Sequence, residues 1–228
     1  MIAPISSSSV EFIDFGCGAG ISLSYARKLA GGDGFGIDIS ELAVSECWSA
    51  GLAAKVGDLL SYSEKNTASV VTAINLLPEI GNKDDFEKAV SRMIIAARNY
   101  VVIQHDYFDA DSALALAGFF VPANFSKKIC YKPVIADYLV LLGRLAASHS
   151  ISGVAIFGLS EARLAPLPPD GFLPRAEGAA DAPAGIATYR SIRVVIGRKE
   201  VNRFQAALRK TRAGQELFLW ERPAPSAE

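Results

Sequence analysis

Cysteine is scarce in this chain. Cys17, Cys47 and Cys130 are three in 228 residues, odd in number, widely separated and without CxxC spacing. They exclude a disulfide framework and suggest no zinc site, so no metal is expected and a reducing, cytoplasmic setting fits best. Surplus charge is missing too. With 23 basic against 24 acidic residues the net charge is -1, and without a positive field a nucleic-acid partner is not expected. No apolar run approaches the ~20 residues of a membrane helix, so no membrane partner is expected. Residues Met1 to Ser9 lack the basic region and apolar core of a secretory signal.

Half of the residues are apolar, which is enough to bury a full core. No internal repeat or second domain is visible, so residues 1–228 are expected to form one domain. Along the chain, short apolar runs alternate with helical periodicity. Val10–Phe15, Phe35–Ile39, Ala53–Val56, Ala68–Leu76 and Tyr100–Gln104 read as strands. Helices are expected after each of the first two, over Ile21–Leu29 and from Glu41 to Ala50, and between the last two over Asp85–Ala97. Such alternation implies a parallel sheet covered by helices on both faces. Beyond it come a short helix from Asp111, a strong one over Pro133–Ser148, strands over Ile151–Leu159 and Thr188–Gly197, and an amphipathic helix marked by Val201, Phe204 and Leu208.

The first strand runs into "VEFIDFGCGAG". Gly16, Gly18 and Gly20 permit positive φ and remove Cβ atoms from the start of the next helix, so a ligand can lie on bare backbone there. The dinucleotide fingerprint GxGxxG would need its third glycine at position 21, where the chain has Ile21. The pattern is GxGxG. Asp38, at the end of the second strand, lies 38 − 16 = 22 residues after Gly16. At about that distance an acid reaches a ribose, and its two oxygens can bind both hydroxyls.

"DFGCGAG" resembles the first motif of the class I S-adenosylmethionine-dependent methyltransferases: an acid, one residue, then GxGxG. "GIDIS", "GDLL" and "AINLLPEI" continue the resemblance in order. It implies an α/β, Rossmann-like fold whose seven-stranded, mostly parallel sheet carries helices on both faces, with an antiparallel last strand beside the fifth. S-adenosylmethionine is the implied cofactor. Its methionine part would lie on Gly16, Cys17, Gly18 and Gly20, with Asp14 helping to organise the ammonium end directly or through water. Asp38 would bind the ribose, Ile39 flank the adenine, Asp58 accept from the adenine amino group and Leu59 form a wall. Asn75 and Leu76 would sit nearest the methyl-donor centre, Leu76 on the substrate side.

Methyl transfer from a sulfonium is an in-line displacement, in which the protein aligns the acceptor and excludes water. "NLLPEI" lacks the Pro-Pro-aromatic sequence with which similar enzymes grip a planar amino group. A small or medium-sized acceptor with a hydroxyl is therefore expected. After the fifth strand, "QHDYFDAD" presents His105 as a candidate general base, with Asp106 beside it. Tyr107 and Tyr131 are candidate substrate contacts, and His149 reads as a capping or surface residue.

Two segments, 106–132 and 160–187, are expected to overhang the site as lids. Within the first, Phe119, Phe120 and Phe125 are candidate pocket aromatics, and Lys127, Lys128 and Lys132 candidate attractors of an anion. Only nine residues precede the first strand, where similar enzymes often have a closing arm. The C-terminal helix and tail, 199–228, are expected at the opposite end of the sheet from the chemistry. Phe218, Leu219 and Trp220 there would pack back on the body or form a homodimer contact. The alternatives are an NAD(P)-dependent Rossmann oxidoreductase and a catalytically inactive methyltransferase-like binding protein.

Overall fold

The computed structural model describes residues 10–117, 119–120, 129–161, 165–166 and 186–223. In chain order the elements are β1 (Val10–Phe15), α1 (Ile21–Ala30), β2 (Gly34–Asp38), α2 (Glu41–Ser49), β3 (Ala54–Val56), β4 (Ala68–Ile74), α3 (Lys83–Ala96) and β5 (Ala97–Asp106). Then follow α4 (Asp111–Leu116), β6 (Phe119–Phe120), α5 (Ile135–Ser148), β7 (Ile151–Glu161), β8 (Ala165–Pro166), β9 (Tyr189–Arg198), α6 (Val201–Thr211) and β10 (Gln215–Glu221).

Local chemistry sets the helix ends. Ser40 accepts from the Ala43 N–H at 3.2 Å and caps α2, with Glu41 in the first turn. Asn82 caps α3 by accepting from the Asp85 N–H at 3.0 Å. Gly31 ends α1 at φ 76°, where its N–H reaches the Arg27 carbonyl.

The main sheet has the order β10-β7-β9-β5-β4-β1-β2-β3. From β3 to β5 the pairs are parallel, while β9 runs antiparallel between β5 and β7. The expected insertion beside the fifth strand is present, but the strand count is eight rather than seven. β10 adds an antiparallel edge on β7, pairing Gln215 with Gly158 and Trp220 with Val154. Gly214 makes this possible, because a Cβ there would sit 2.0 Å from the Gly158 carbonyl oxygen.

Strand alternation divides the core into two layers. Ile13, Phe15, Val71, Val101 and Ile103 face α3 and α5, where Phe86, Met93 and Tyr138 are fully buried. Phe12, Val70, Val102 and Val195 face the other side, covered by Leu23 and Ala26 of α1, Val44 and Cys47 of α2, and Phe204 of α6.

The position of α6 corrects one expectation. It begins at the far end, where Arg203 bonds Asn99 at 2.7 Å, but climbs the sheet until Thr211 meets Arg193 beside the carboxyl end of β5. Of the two lid candidates, residues 121–128 and 167–185, with Phe125, Lys127 and Lys128, lie outside the described residues. The flanking parts meet: β6 and β8 pair antiparallel, Phe119 with Pro166 and Phe120 with Ala165. Lys132 instead forms an ion pair with Asp111 at 2.5 Å.

Candidate ligand-binding site

Two cavities open at the carboxyl ends of the parallel strands and share Gly16 and Gly18 as a common wall. One, ≈610 Å³, lies over β2 and β3 and is lined by Asp38, Ile39, Asp58, Leu59, Leu76 and Glu79 among others. The other, ≈490 Å³, lies towards β5 and β9, against Cys17, Ser22, Tyr25, Asn75, Gln104 and Arg193. Both fall in the size range of small-molecule sites.

The three glycines of the turn do different work. Gly18 sits at φ 51°, and a Cβ there would meet nothing within 4 Å because it would point into open space. Gly16, at φ 68°, is pressed against Leu76, whose Cδ1 lies 2.7 Å from where a Cβ would be. Gly20 lines neither cavity. At φ 97° it begins α1, and a Cβ would strike Leu52 Cδ1 at 2.4 Å, so its missing side chain serves packing rather than a ligand.

Asp38 is tied to this turn. Its Oδ2 accepts from the Gly18 N–H at 2.8 Å and its Oδ1 from the Ser40 N–H at 2.9 Å, and each oxygen keeps a further lone pair. Asp58 accepts from the Leu60 N–H at 2.9 Å at the start of a 3₁₀ turn. Ile39 is 74% exposed over the cavity, whereas Leu59 is buried in its wall. Asn75 adopts φ 58°, a conformation Asn tolerates, and donates its N–H to the Gln104 carbonyl at 2.7 Å.

Asp14 is fully buried and lines neither cavity. Its carboxylate accepts from the Ser22 hydroxyl and, at 2.5 Å, from the Thr72 hydroxyl. Burial pushes its pKa up to about 6, against the lowering effect of the two hydroxyls. Of the two expected routes, direct or through water, the direct one is closed because the carboxylate lines neither cavity, whereas Ser22, which bonds it, does line one. Cys17 lies mostly beneath the turn, against Gly36, and Cys47 donates to the Gly18 carbonyl at 3.2 Å. Burial pushes both thiols up, so they stay protonated.

His105 is the clearest correction. β5 runs two residues past Gln104, so the pleat turns His105 to the α5 face with Val101 and Ile103, while Gln104 points to the cavity. The imidazole is fully buried, stacked between Phe108 and Tyr138 at centroid distances of 5.7 and 5.8 Å. Nδ1 lies 2.7 Å from the Asp106 carbonyl and must carry the proton, which leaves Nε2 to accept from the Tyr138 hydroxyl at 2.8 Å. Burial lowers its pKa to about 4. The ring is neutral and lines neither cavity, which removes the geometry a general base needs. Asp106, Tyr107 and Tyr131 also line neither: Tyr107 packs edge-on to Tyr189 at 5.4 Å, and Tyr131 lies 5.4 Å from Phe86.

Sequence reasoning missed Ser22, Tyr25 and Arg193. Arg193 holds Gln104 Oε1 through Nε at 3.2 Å and Nη2 at 2.9 Å, donates from Nη1 to the Thr211 carbonyl at 2.6 Å, and lies 5.3 Å from the Tyr25 ring centre. The available signal was a lone cation inside the apolar strand "SIRVVIG", adjacent to the fifth strand. Among the described residues, no group of three or more His, Cys, Asp or Glu side chains could hold a metal ion. None of the described helices is long and apolar enough to cross a membrane.

No family model and no curated protein sequence matches the chain. Solved structures do. A SAM-dependent methyltransferase from Archaeoglobus fulgidus is similar with TM-score 0.58 and 14% identity, over 84% of this chain and 86% of that one. The putative methyltransferase of Haloferax volcanii, in complex with the Trm112 methyltransferase activator, gives TM-score 0.54 and 13% identity over 86% and 85%. Magnesium protoporphyrin IX methyltransferase from Synechocystis PCC 6803 with bound SAH gives 0.52 and 18% over 85% and 76%. The fold is that of the class I SAM-dependent methyltransferases.

Proposed function

We propose that this chain is an S-adenosylmethionine-dependent methyltransferase that acts by in-line displacement on an oxygen of a small or medium-sized acceptor. The observation that carries this is the bare Gly18 backbone shared by two adjacent cavities, with Asp38 bonded to it. The lining suits the cofactor. Asp38 retains two acceptor positions for a ribose diol, Ile39 and Leu59 flank a slot for adenine with Asp58 at its edge, and Gly18 leaves room for the amino-acid part. The cofactor would supply an electrophilic methyl group. The protein would hold it, present the acceptor in line and exclude water.

Among the described residues no imidazole lines either cavity, and the carboxylates that do, Asp38, Asp58 and Glu79, stand in the β2–β3 cavity. This lining favours an acceptor hydroxyl that ionises readily, such as a phenol. Calorimetric titration with S-adenosylmethionine, S-adenosylhomocysteine and NADH tests the proposal: the first two should bind and NADH should not. NADH binding alone would make the chain an oxidoreductase. Cofactor binding with no S-adenosylhomocysteine release across a broad library of phenols and hydroxy acids would favour an inactive binding protein.

A further inference from the structure

We propose that Arg193 anchors a carboxylate of the methyl acceptor, so that the substrate is an apolar or aromatic acid that carries its methylated hydroxyl elsewhere. This rests on the methyltransferase reading. Arg193 lines the cavity, yet its partners are a neutral amide oxygen, a backbone carbonyl and a ring face. Among the described residues no carboxylate pairs with it, whereas Arg144, Arg203 and Arg212 pair with Glu87, Glu200 and Glu216. An uncompensated, half-buried cation facing a cavity is favourable chiefly when an anion enters.

The guanidinium is also held for that task. Three of its five N–H donors are used by Gln104 and Thr211, which fixes the plane, and its Cζ lies 5.3 Å from the Tyr25 ring centre. Two donors remain, the number a carboxylate takes in a bidentate pair. The Tyr25 hydroxyl is buried behind this wall and makes no hydrogen bond among the described residues. Ile21, Ile74 and the Tyr25 ring supply apolar surface for the body of the ligand.

Strand order separates this anchor from the nucleoside end of the cofactor. β9 stands three strands from β1 in the order β9-β5-β4-β1, roughly 14 Å across the sheet. Asp38 and Asp58 lie on the opposite side of β1, so a nucleoside bound there would end its amino-acid part near Gly18 and Asn75, in the cavity that Arg193 lines from the β9 side. The group it holds is not the one methylated, because a guanidinium pair withdraws the electron density a nucleophile needs.

Benzoate and its neutral counterpart benzamide, titrated calorimetrically into protein saturated with S-adenosylhomocysteine, test the site. Benzoate should bind about tenfold tighter or more than benzamide, Arg193→Gln should abolish that preference, and Arg193→Lys should keep part of it. Equal affinity of the two probes, no detectable binding of either, or a preference that survives Arg193→Gln would overturn the proposal. So would a loss of S-adenosylhomocysteine affinity in a folded Arg193→Gln protein, which would assign the cation to the cofactor's own carboxylate. If the parent protein binds no S-adenosylhomocysteine, the methyltransferase reading fails by itself. The benzoate preference, measured without it, then still decides whether Arg193 is an anion site. Thermal melts of both variants exclude misfolding as the cause.

Discussion

The Gly18 N–H donates to Asp38 Oδ2 at 2.8 Å, joining the glycine turn after β1 to the end of β2 across 20 residues of chain. One carboxylate thus fixes the shape of the turn while presenting its remaining lone pairs to the cavity. Asp38→Ala should weaken S-adenosylhomocysteine binding by roughly 1.5 to 3 kcal/mol, the cost of charge-assisted bonds. Asp58→Ala, which removes a single exposed carboxylate contact, should cost less than about 1.5 kcal/mol. Paired calorimetric titrations check the ranking, and equal losses would show that Asp38 has no special part in the site.

Gly18 and Gly20 should respond differently to alanine, the first chiefly in cofactor binding and the second chiefly in stability. At Gly18 the methyl group enters open space, so Gly18→Ala should cost about 1 to 2 kcal/mol of stability from its positive φ and nearly abolish cofactor binding. At Gly20 it meets Leu52, so Gly20→Ala should lower the melting temperature more, with Gly20→Ala/Leu52→Ala partly restoring it. Melting curves and S-adenosylhomocysteine titrations on the same samples separate the two effects.

His105 and Asp14 should oppose each other in acid. The folded pKa of His105 is lowered from 6.5 to about 4, so the unfolded chain binds more protons there and stability falls as pH drops from 6.5 towards 4. That of Asp14 is raised from 3.8 to about 6, so the folded chain binds more protons and stability rises as pH drops from 6 towards 3.8. Each effect is on the order of 3 kcal/mol. Asp14→Asn should therefore steepen acid destabilisation between pH 6.5 and 4, and His105→Gln should flatten it. Urea melts across that range check both slopes.

Phe204 of α6 lies on Gly153 and Gly197, where Cβ atoms would come within 2.2 and 2.6 Å of it. Phe204→Ala should cost about 3 to 5 kcal/mol and Gly153→Ala about 1 to 3 kcal/mol. Gly153→Ala/Phe204→Leu should be more stable than the sum of the single changes, because the smaller side chain makes room for the methyl group. Denaturant melts on the four proteins of the cycle measure this coupling.

The parallel half of the molecule was legible in the sequence because its cues are local. Apolar runs ended at Gly16 and Asp38, Ser40 capped a helix, and glycines at 16 and 18 marked a turn that only a small residue can make. β10 was not legible: "ELFLWERP" has apolar residues that suit an edge strand or a contact equally, and its partner β7 lies far away in sequence. The acceptor side fared worse for the same reason.

The sequence alone thus determined what neighbouring residues decide among themselves: the strand–turn–helix at Gly16–Gly20, the acids at 38 and 58, and the alternation that builds a parallel sheet. Only the tertiary structure decided which way β5 turns His105 and Gln104, and that Arg193, Tyr25 and Thr211 meet. Two extra residues of strand put the imidazole into the core, and the antiparallel insertion of β9 carried a distant arginine to the cavity. Pairing between strands remote in sequence sets such meetings, and no local propensity encodes it.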